Sequence, residues 1–395
     1  MTSSRVSAAA LDGKALDMYA YCTCLLRCIK TALALWGDRH FPASVVAEQG
    51  KALHAAGVDG VLLADQFGNF VPPQLWTADV TPMAAVLDPD SHSDVFALGG
   101  YLLAAAPGLD LALSTDSVRR PPAELVQAML TLANMTTGDV AVQVGGGEVK
   151  QCQPFGHNRA QGMSRMEDLF RIFGALLDSG GAPIDFDGRR WTFERASIGG
   201  GMGKRPKVMG LGGGPMLIDH STSYADGLAT TCPPVYAGPD EFAAARAQIL
   251  EQVKAKGRDP GTFEFAVWFP ALIADDRDEL ERHLDNPLIK WLGAVFGRIE
   301  TTDWAKIGLE SPFPPEWRYY SDLLPQATTD EFIAGNLFLD KTVERLVRVD
   351  RSDHIIAKFP RHWTVGVGVE VSVRIGVAHD VQPVPSPPFP VLART

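Results

Sequence analysis

Two glycine-rich segments have the residue types needed to hold a ligand with a flat ring and an anionic group. The first comprises Gly145, Gly146 and Gly147, which follow a predicted strand at 139–144 and precede Glu148. Glycines let a flat ligand approach the backbone, and a carboxylate beside an apolar ring can donate or accept a proton. The same residues are equally compatible with a flexible strand exit and a solvated glutamate.

The second segment comprises Gly212, Gly213 and Gly214, between a predicted strand at 206–211 and a predicted helix at 216–224. Backbone N–H groups at a helix N-terminus bind phosphate, whereas a plain tight turn is the alternative interpretation. One ligand that carries both a ring and a phosphate could use the two segments together.

Polar residues also follow two other predicted strands. Asp65 ends the strand at 58–65, and Thr115 and Asp116 end the strand at 109–115. Loop solvation is the alternative for Asp65, and helix capping is the alternative for Asp116.

Short apolar runs alternate with amphipathic stretches along most of the chain. Further strands are predicted at 227–231 and 263–273, and helices at 44–56, 95–106, 121–135, 166–177 and 241–256. This alternation implies a parallel sheet, and seven or eight such units favour a (β/α)8 TIM barrel. Insertions are predicted at 66–94, 151–163, 184–204 and 286–330, the third with a hairpin. An open doubly wound sheet is the alternative, but no dinucleotide fingerprint opens the chain.

The C-terminal part of the sequence departs from this rhythm. Residues 364–377 alternate strictly, with valines and an isoleucine on one side, which predicts a strand with one apolar face. We expect a barrel domain over 15–363, with 354–359 as a candidate eighth strand, and an atypical tail over 364–395 for which the sequence predicts no place in the barrel.

The composition excludes several classes of protein. The 395 residues include 36 Lys and Arg against 47 Asp and Glu, a net charge of −11, and 46% are apolar. That apolar content argues against a disordered chain, and the acidic balance argues against a general nucleic-acid binder.

The five cysteines do not form a secreted disulfide pattern, because their number is odd in a long chain. We therefore expect a cytoplasmic protein. Cys22, Cys24 and Cys28 lack a second Cys/His cluster at zinc-like spacing, so buried thiols are predicted there and no metal site. No signal peptide and no membrane span are predicted, because no apolar run approaches about 20 residues.

The order of these features resembles the bacterial-luciferase-like superfamily of flavin- and coenzyme F420-dependent oxidoreductases. The motifs that carry the resemblance lie at 59–65, 119–123, 131–138, 144–148, 165–173, 186–189, 205–207, 212–215 and 225–227. Within the superfamily the chain is most similar to the methylene-tetrahydromethanopterin-reductase-like branch, which includes phthiodiolone-ketoreductase-like enzymes. Many members of that branch use coenzyme F420.

The resemblance implies a TIM barrel with the deazaflavin at its C-terminal mouth. It places a non-prolyl cis peptide within 113–115, so that Ser114 and Thr115 contact the ring.

The resemblance also implies roles for four of the candidate residues. Gly213 and Gly214 match phosphate-binding glycines, Glu148 matches an acid that faces the reacting carbon, and Asp65 matches a position near the ring. Relatives often have His directly after that aspartate, where this chain has Gln66.

The resemblance therefore predicts a coenzyme F420-dependent hydride transfer to or from a carbonyl or alcohol, with Glu148 and Asp65 as catalytic residues. One alternative is an FMN-dependent monooxygenase supplied by a separate flavin reductase, and another is a non-catalytic cofactor-binding relative. A homodimer and a small-molecule substrate are expected. The aromatic stretch 313–320 favours a lipophilic substrate, with packing or a dimer contact as the alternative.

Overall fold

The barrel closes through eight parallel strands in the spatial order β1-β10-β9-β8-β7-β4-β3-β2. The computed structural model describes residues 30–268, 282, 285–337 and 363–367. The barrel strands are β1 (Lys30–Leu35), β2 (Gly60–Ala64), β3 (Asp110–Asp116), β4 (Val140–Gly145), β7 (Lys207–Leu211), β8 (Gly227–Thr231), β9 (Glu264–Trp268) and β10 (Trp363–Val367); β5 (Ile184–Asp187) and β6 (Thr192–Ala196) form a separate antiparallel hairpin. The predicted TIM barrel and hairpin are thus confirmed.

Helices follow most of the strands and cover the barrel. They are α1 (Ala43–Ala55), α2 (Val95–Ala105), α3 (Pro122–Ala133), α4 (Val149–Cys152), α5 (Gly162–Asp178), α6 (Pro215–Tyr224), α7 (Pro239–Ala255), α8 (Pro287–Gly297), α9 (Tyr319–Asp322) and α10 (Asp330–Leu337). Four of them begin with proline, which suits the first helical position because its missing N–H has no partner there. Within the described part of the chain, none of these helices could span a bilayer.

The main apolar core lies between the strands and this helical layer. Val61 and Leu63 of β2 and Leu111 and Leu113 of β3 belong to it. Because successive side chains of a strand point to opposite faces, the residues between them face the lumen of the barrel. The lumen cluster accordingly contains Met209, Ala229 and Ala266, with Ala141 and Leu211 packed against it.

The first and last barrel strands differ from the predictions. The sequence analysis predicted no strand at β1, and β10 pairs with both β1 and β9, so the barrel extends past the predicted boundary at 363. The alternation in 364–377 therefore includes part of the closing strand. The candidate strand at 354–359 and the cysteines Cys22, Cys24 and Cys28 lie outside the described residues.

The predicted non-prolyl cis peptide within 113–115 is wrong. Strand β3 pairs regularly with β4 as far as Asp116 opposite Gly145, so its backbone continues the ladder without a break. Among the described residues, the cis peptide bond joins Cys232 to Pro233.

Two insertions pack together over the C-terminal end of the barrel. Residues 66–94 and 285–337 share a second apolar cluster that includes Val71, Trp291 and Trp317. Trp291 Nε1 donates to the carbonyl oxygen of Phe70 at 2.8 Å, and Asn286 Nδ2 donates to that of Val80 at 2.7 Å. These contacts fix the two insertions relative to each other.

Candidate active site at the barrel mouth

The two glycine segments lie at the same end of neighbouring strands. Gly145 is the last residue of β4 and Gly212 follows β7, and these strands pair with Val144 opposite Gly210. A Cβ atom placed on Gly145 would lie 3.7 Å from the carbonyl oxygen of Leu211. Both segments therefore border the C-terminal mouth, where TIM-barrel enzymes keep their active sites.

The first segment is a packed turn as well as a strand exit. Gly147 has a φ of +89°, a conformation that favours glycine. Gly146 lies against the start of α5, since a Cβ on Gly162 would come within 1.8 Å of its carbonyl oxygen. The sequence analysis missed Gly162, whose only signal was a glycine just before the apolar helical pattern.

Glu148 follows this turn and is partly exposed, with 24% of its side chain accessible. Its Oε2 lies 3.3 Å from Nζ of Lys150. Tyr319, from the 285–337 insertion, is a hydrogen-bond partner of the same carboxylate, and Tyr320 lies within range of its charge. Burial, followed by the negative charge of Glu148, raises the pKa of both phenols above the ordinary value, so both remain protonated donors at neutral pH.

Lys150 is a fully buried cation that the sequence analysis did not single out. Its Nζ donates to the carbonyl oxygen of Gly68 at 2.9 Å and lies 3.7 Å from the centroid of the Phe70 ring. Lysine side chains are rarely fully buried without partners, and nothing in its sequence neighbourhood marks it as internal.

The second glycine segment combines a close backbone contact with an open helix start. Gly212 has a φ of +142°, and a Cβ placed on it would lie 3.9 Å from the hydroxyl of Tyr320. A Cβ on Gly213 would lie 2.1 Å from Val235 Cγ1, whereas one on Gly214 would meet no described atom within 4 Å. Gly214 is the N-cap of α6, which begins with Pro215, and no side chain caps the backbone N–H groups of its first turn.

Asp65 lies on the outer side of the barrel wall and is held in an ion-pair network. Its carboxylate accepts hydrogen bonds from Arg120 Nε at 2.8 Å, Arg120 Nη2 at 2.9 Å and Thr115 Oγ1 at 2.7 Å. Burial alone would raise the pKa of Asp65, but the hydrogen bond from Arg120 and the charges of Arg119 and Arg120 hold it below its usual value. This carboxylate is therefore ionised and fully engaged at neutral pH.

The lumen side of the mouth carries a different set of polar groups. Alternation along the strands places Gln66, Ser114 and Thr231 on the side of Ala64, Ala112 and Ala229. Gln66 Oε1 and Thr231 Oγ1 are buried without a hydrogen-bond partner among the described residues. Buried polar atoms are normally paired, so these two positions suit a polar ligand in the mouth.

A sequence profile of the luciferase-like monooxygenase family matches residues 29–336, and the chain belongs to this family. Among curated proteins, a phthiodiolone/phenolphthiodiolone dimycocerosates ketoreductase from Mycobacterium kansasii is 27% identical over 300 residues, covering 74% of this chain and 80% of the relative.

Solved structures of the same fold include two kinds of enzyme. An F420-dependent secondary alcohol dehydrogenase in complex with an F420-acetone adduct matches with a TM-score of 0.59 at 17% identity, covering 87% of this chain and 94% of the other. The EDTA monooxygenase of Chelativorans sp. BNC1 matches with a TM-score of 0.60 at 14% identity, covering 87% and 90%.

Proposed function

We propose that this chain is a coenzyme F420-dependent oxidoreductase that acts on a carbonyl or alcohol group of a small molecule. The observation that carries the proposal is the position of Glu148, a partly exposed carboxylate that directly follows the first glycine segment at the barrel mouth. The names of the ketoreductase relative and of the alcohol dehydrogenase support the same reaction class.

The residues at the mouth fit a ring with an anionic stalk. Gly214 and the first turn of α6 would hold a phosphate, and the segment 145–147 would allow a ring to approach the backbone. From the lumen side, Gln66, Ser114 and Thr231 would supply polar contacts, two of them with the unpaired atoms described above. When bound, the deazaflavin supplies the two-electron hydride chemistry.

In this proposal, the proton that accompanies the hydride is transferred by a side chain of the protein. When a carbonyl carbon gains a hydride, its oxygen must gain a proton, which Glu148 would deliver and then recover from solvent; its partial exposure supports this role. Tyr319 supports Glu148 as a buried donor whose raised pKa keeps its own proton.

Asp65 has a positioning role in this proposal instead of the catalytic role predicted from the sequence. Its ionised carboxylate ties the end of β2 to Arg119 and Arg120, and Arg120 also binds Asp94, the N-cap of α2. The hydroxyl of Thr115 donates to Asp65 in the same network. The network holds the strand ends that carry Gln66 and Ser114.

The proposal of a lipophilic substrate rests on two exposed aromatic side chains and not on the aromatic stretch 313–320. Phe313 and Trp317 stack within the second apolar cluster, with ring centroids 3.9 Å apart, and so serve packing. Phe67 and Phe155 remain exposed at the rim, 41% and 49% accessible, with centroids 4.5 Å apart. This pair would receive the apolar part of a substrate.

Reconstitution with each reduced cofactor tests the function. Anaerobic mixing with reduced coenzyme F420 and ketones of increasing chain length should oxidise the deazaflavin only when a ketone is present, as followed by its absorbance. Turnover only with reduced FMN and oxygen would instead identify a monooxygenase that needs a flavin reductase. Cofactor binding without any turnover would identify a non-catalytic relative. Gel filtration tests the predicted homodimer separately.

A further inference from the structure

Lys150 links the two loops that carry the chemistry of the mouth. Its side chain has no accessible surface, and its ammonium lies between the Gly68 carbonyl, the Phe70 ring and the Glu148 carboxylate. A buried ammonium is costly unless it is paired and hydrogen-bonded. Solvation at the surface therefore does not account for this lysine, and its contact with Glu148 needs another explanation.

The contact with Glu148 joins a fully buried side chain to a partly exposed one. Lys150 is enclosed, whereas Glu148 extends from a glycine turn into a partly open space. A glutamate in that situation has several rotamers available. A buried cation 3.3 Å from Oε2 selects those that keep the carboxylate at the mouth.

The contact with Gly68 extends the same link to the loop after β2. The neighbouring Gln151 accepts from the N–H of Phe67 at 2.6 Å and donates to the carbonyl oxygen of Gly68 at 2.8 Å. Lys150 and Gln151 thus bind one carbonyl together. Gln66, whose buried Oε1 has no hydrogen-bond partner among the described residues, immediately precedes this anchored stretch.

We infer that Lys150 is a positioning residue that holds the Glu148 carboxylate and the Gln66 loop in one fixed arrangement around the reacting oxygen. This inference rests on the proposed function, in which Glu148 exchanges the proton. A misplacement of about 1 Å can cost a factor of roughly 100 in rate, so a single buried ammonium that sets two groups at once has a large effect on turnover.

A double-mutant cycle on turnover tests the inference. K150M should lower kcat by about 10- to 100-fold and change KM by less than about threefold, because substrate contacts remain. In the E148Q background, K150M should cost less than about twofold more, since the group that Lys150 positions is already inactive. Losses that simply add would overturn the inference.

The matched control is K207M at the opposite end of the barrel. Lys207 forms an ion pair with Glu264 near the starts of β7 and β9, far from the mouth in the fold. K207M should leave kcat within about twofold of the parent. An equal loss of kcat in K207M and K150M would reduce the role of Lys150 to general stability and overturn the inference.

A second cycle needs no cofactor and uses a milder variant. K150Q keeps an amide donor for Gly68 but removes the charge, and urea unfolding of the parent, E148Q, K150Q and the double variant measures the coupling. We expect a coupling of about tenfold in the unfolding equilibrium constant; none would overturn the inference. If the parent shows no turnover with any of the cofactors, the proposed function fails. The unfolding cycle still decides whether Lys150 holds Glu148.

Discussion

Trp268 on β9 and Gln143 on β4 are hydrogen-bonded across the lumen of the barrel, with Nε1 of the indole 2.7 Å from Oε1 of the amide. Strands β7 and β8 lie between these two strands in the sheet. Gln143 also lines a cavity of about 270 Å³ in the N-terminal half of the lumen, together with Ala112, Ala141 and Ala266. The bond therefore forms a floor between this cavity and the mouth that carries Glu148.

Replacing Trp268 with phenylalanine should weaken this floor. W268F removes the donor and leaves the buried Gln143 oxygen without that partner, which should lower the free energy of unfolding by about 1–3 kcal/mol. Urea denaturation measures the loss. W36F is the control, since Trp36 packs edge-to-face on His92 at 4.8 Å between centroids. If the free energy of unfolding falls no more in W268F than in W36F, the hydrogen bond between Trp268 and Gln143 does not stabilise the barrel as predicted.

Removing the charge of Glu148 should stop turnover without emptying the site. E148Q cannot exchange the proton, so kcat should fall by about 100- to 10,000-fold, whereas the dissociation constant for the cofactor should stay nearly the same. Steady-state kinetics and a cofactor titration measure the two effects. E264Q, at the opposite end of the barrel, is the control and should retain kcat; unchanged turnover in E148Q would remove its assigned role.

Two adjacent glycines should respond differently to a methyl group. In G214A the new Cβ meets open space, so folding should be preserved and cofactor affinity should fall several-fold, because the methyl occupies the approach to the first turn of α6. In G213A it collides with Val235, which should cost about 1–3 kcal/mol of stability.

Cofactor titration and urea denaturation separate the two results. G200A is the matched control, since a Cβ at Gly200 also meets no described atom within 4 Å but lies in the hairpin insertion. A G214A protein that binds the cofactor as tightly as G200A would rule out a phosphate at this helix start.

The fold was more predictable than the site. Strand and helix alternation located most barrel elements to within a few residues and placed the glycine segments at strand ends. The phase of a strand was not predictable, because parallel barrel strands are apolar on both faces. For example, the continuous apolar run 61–64 does not indicate which of the next two residues, Asp65 or Gln66, faces the lumen.

The remaining site residues could not be predicted because they depend on long-range packing. Tyr319 reaches Glu148 from an insertion about 170 residues further along the chain. Lysine is a residue type that usually lies at the solvated surface, so the sequence does not mark Lys150 as buried. The Gly68 carbonyl that it binds comes from the loop after β2, which is brought close only by folding.

Replacing Asp65 with asparagine should separate positioning from chemistry. D65N leaves Arg119 and Arg120 without their shared anion, which should lower the free energy of unfolding by about 2–4 kcal/mol. With the cofactor at saturation, kcat should fall far less than in E148Q, because Asp65 carries no proton. D94N, which loses only the outer partner of Arg120, is the control for stability. A kcat as low as that of E148Q would return Asp65 to a catalytic role.

His92 should make the stability of the protein depend on pH in a defined window. Burial, followed by the positive charge of Lys150, lowers the pKa of His92 from 6.5 to about 4, and the ring packs against Trp36. The unfolded chain therefore binds a proton at a pH where the folded chain does not. This contribution is complete above about pH 6.5 and is lost as the pH falls to about 4.

The full contribution is about 3 kcal/mol, at about 1.4 kcal/mol for each unit of pKa. H92Q should remove it, so urea midpoints of the variant should fall less than those of the parent between about pH 7 and about pH 4. H54Q, at an exposed histidine, should follow the parent. If H92Q and the parent lose stability in parallel between about pH 7 and about pH 4, His92 is not the group that titrates there. Asp65 would not account for that loss, because its contribution is lost only below about pH 4.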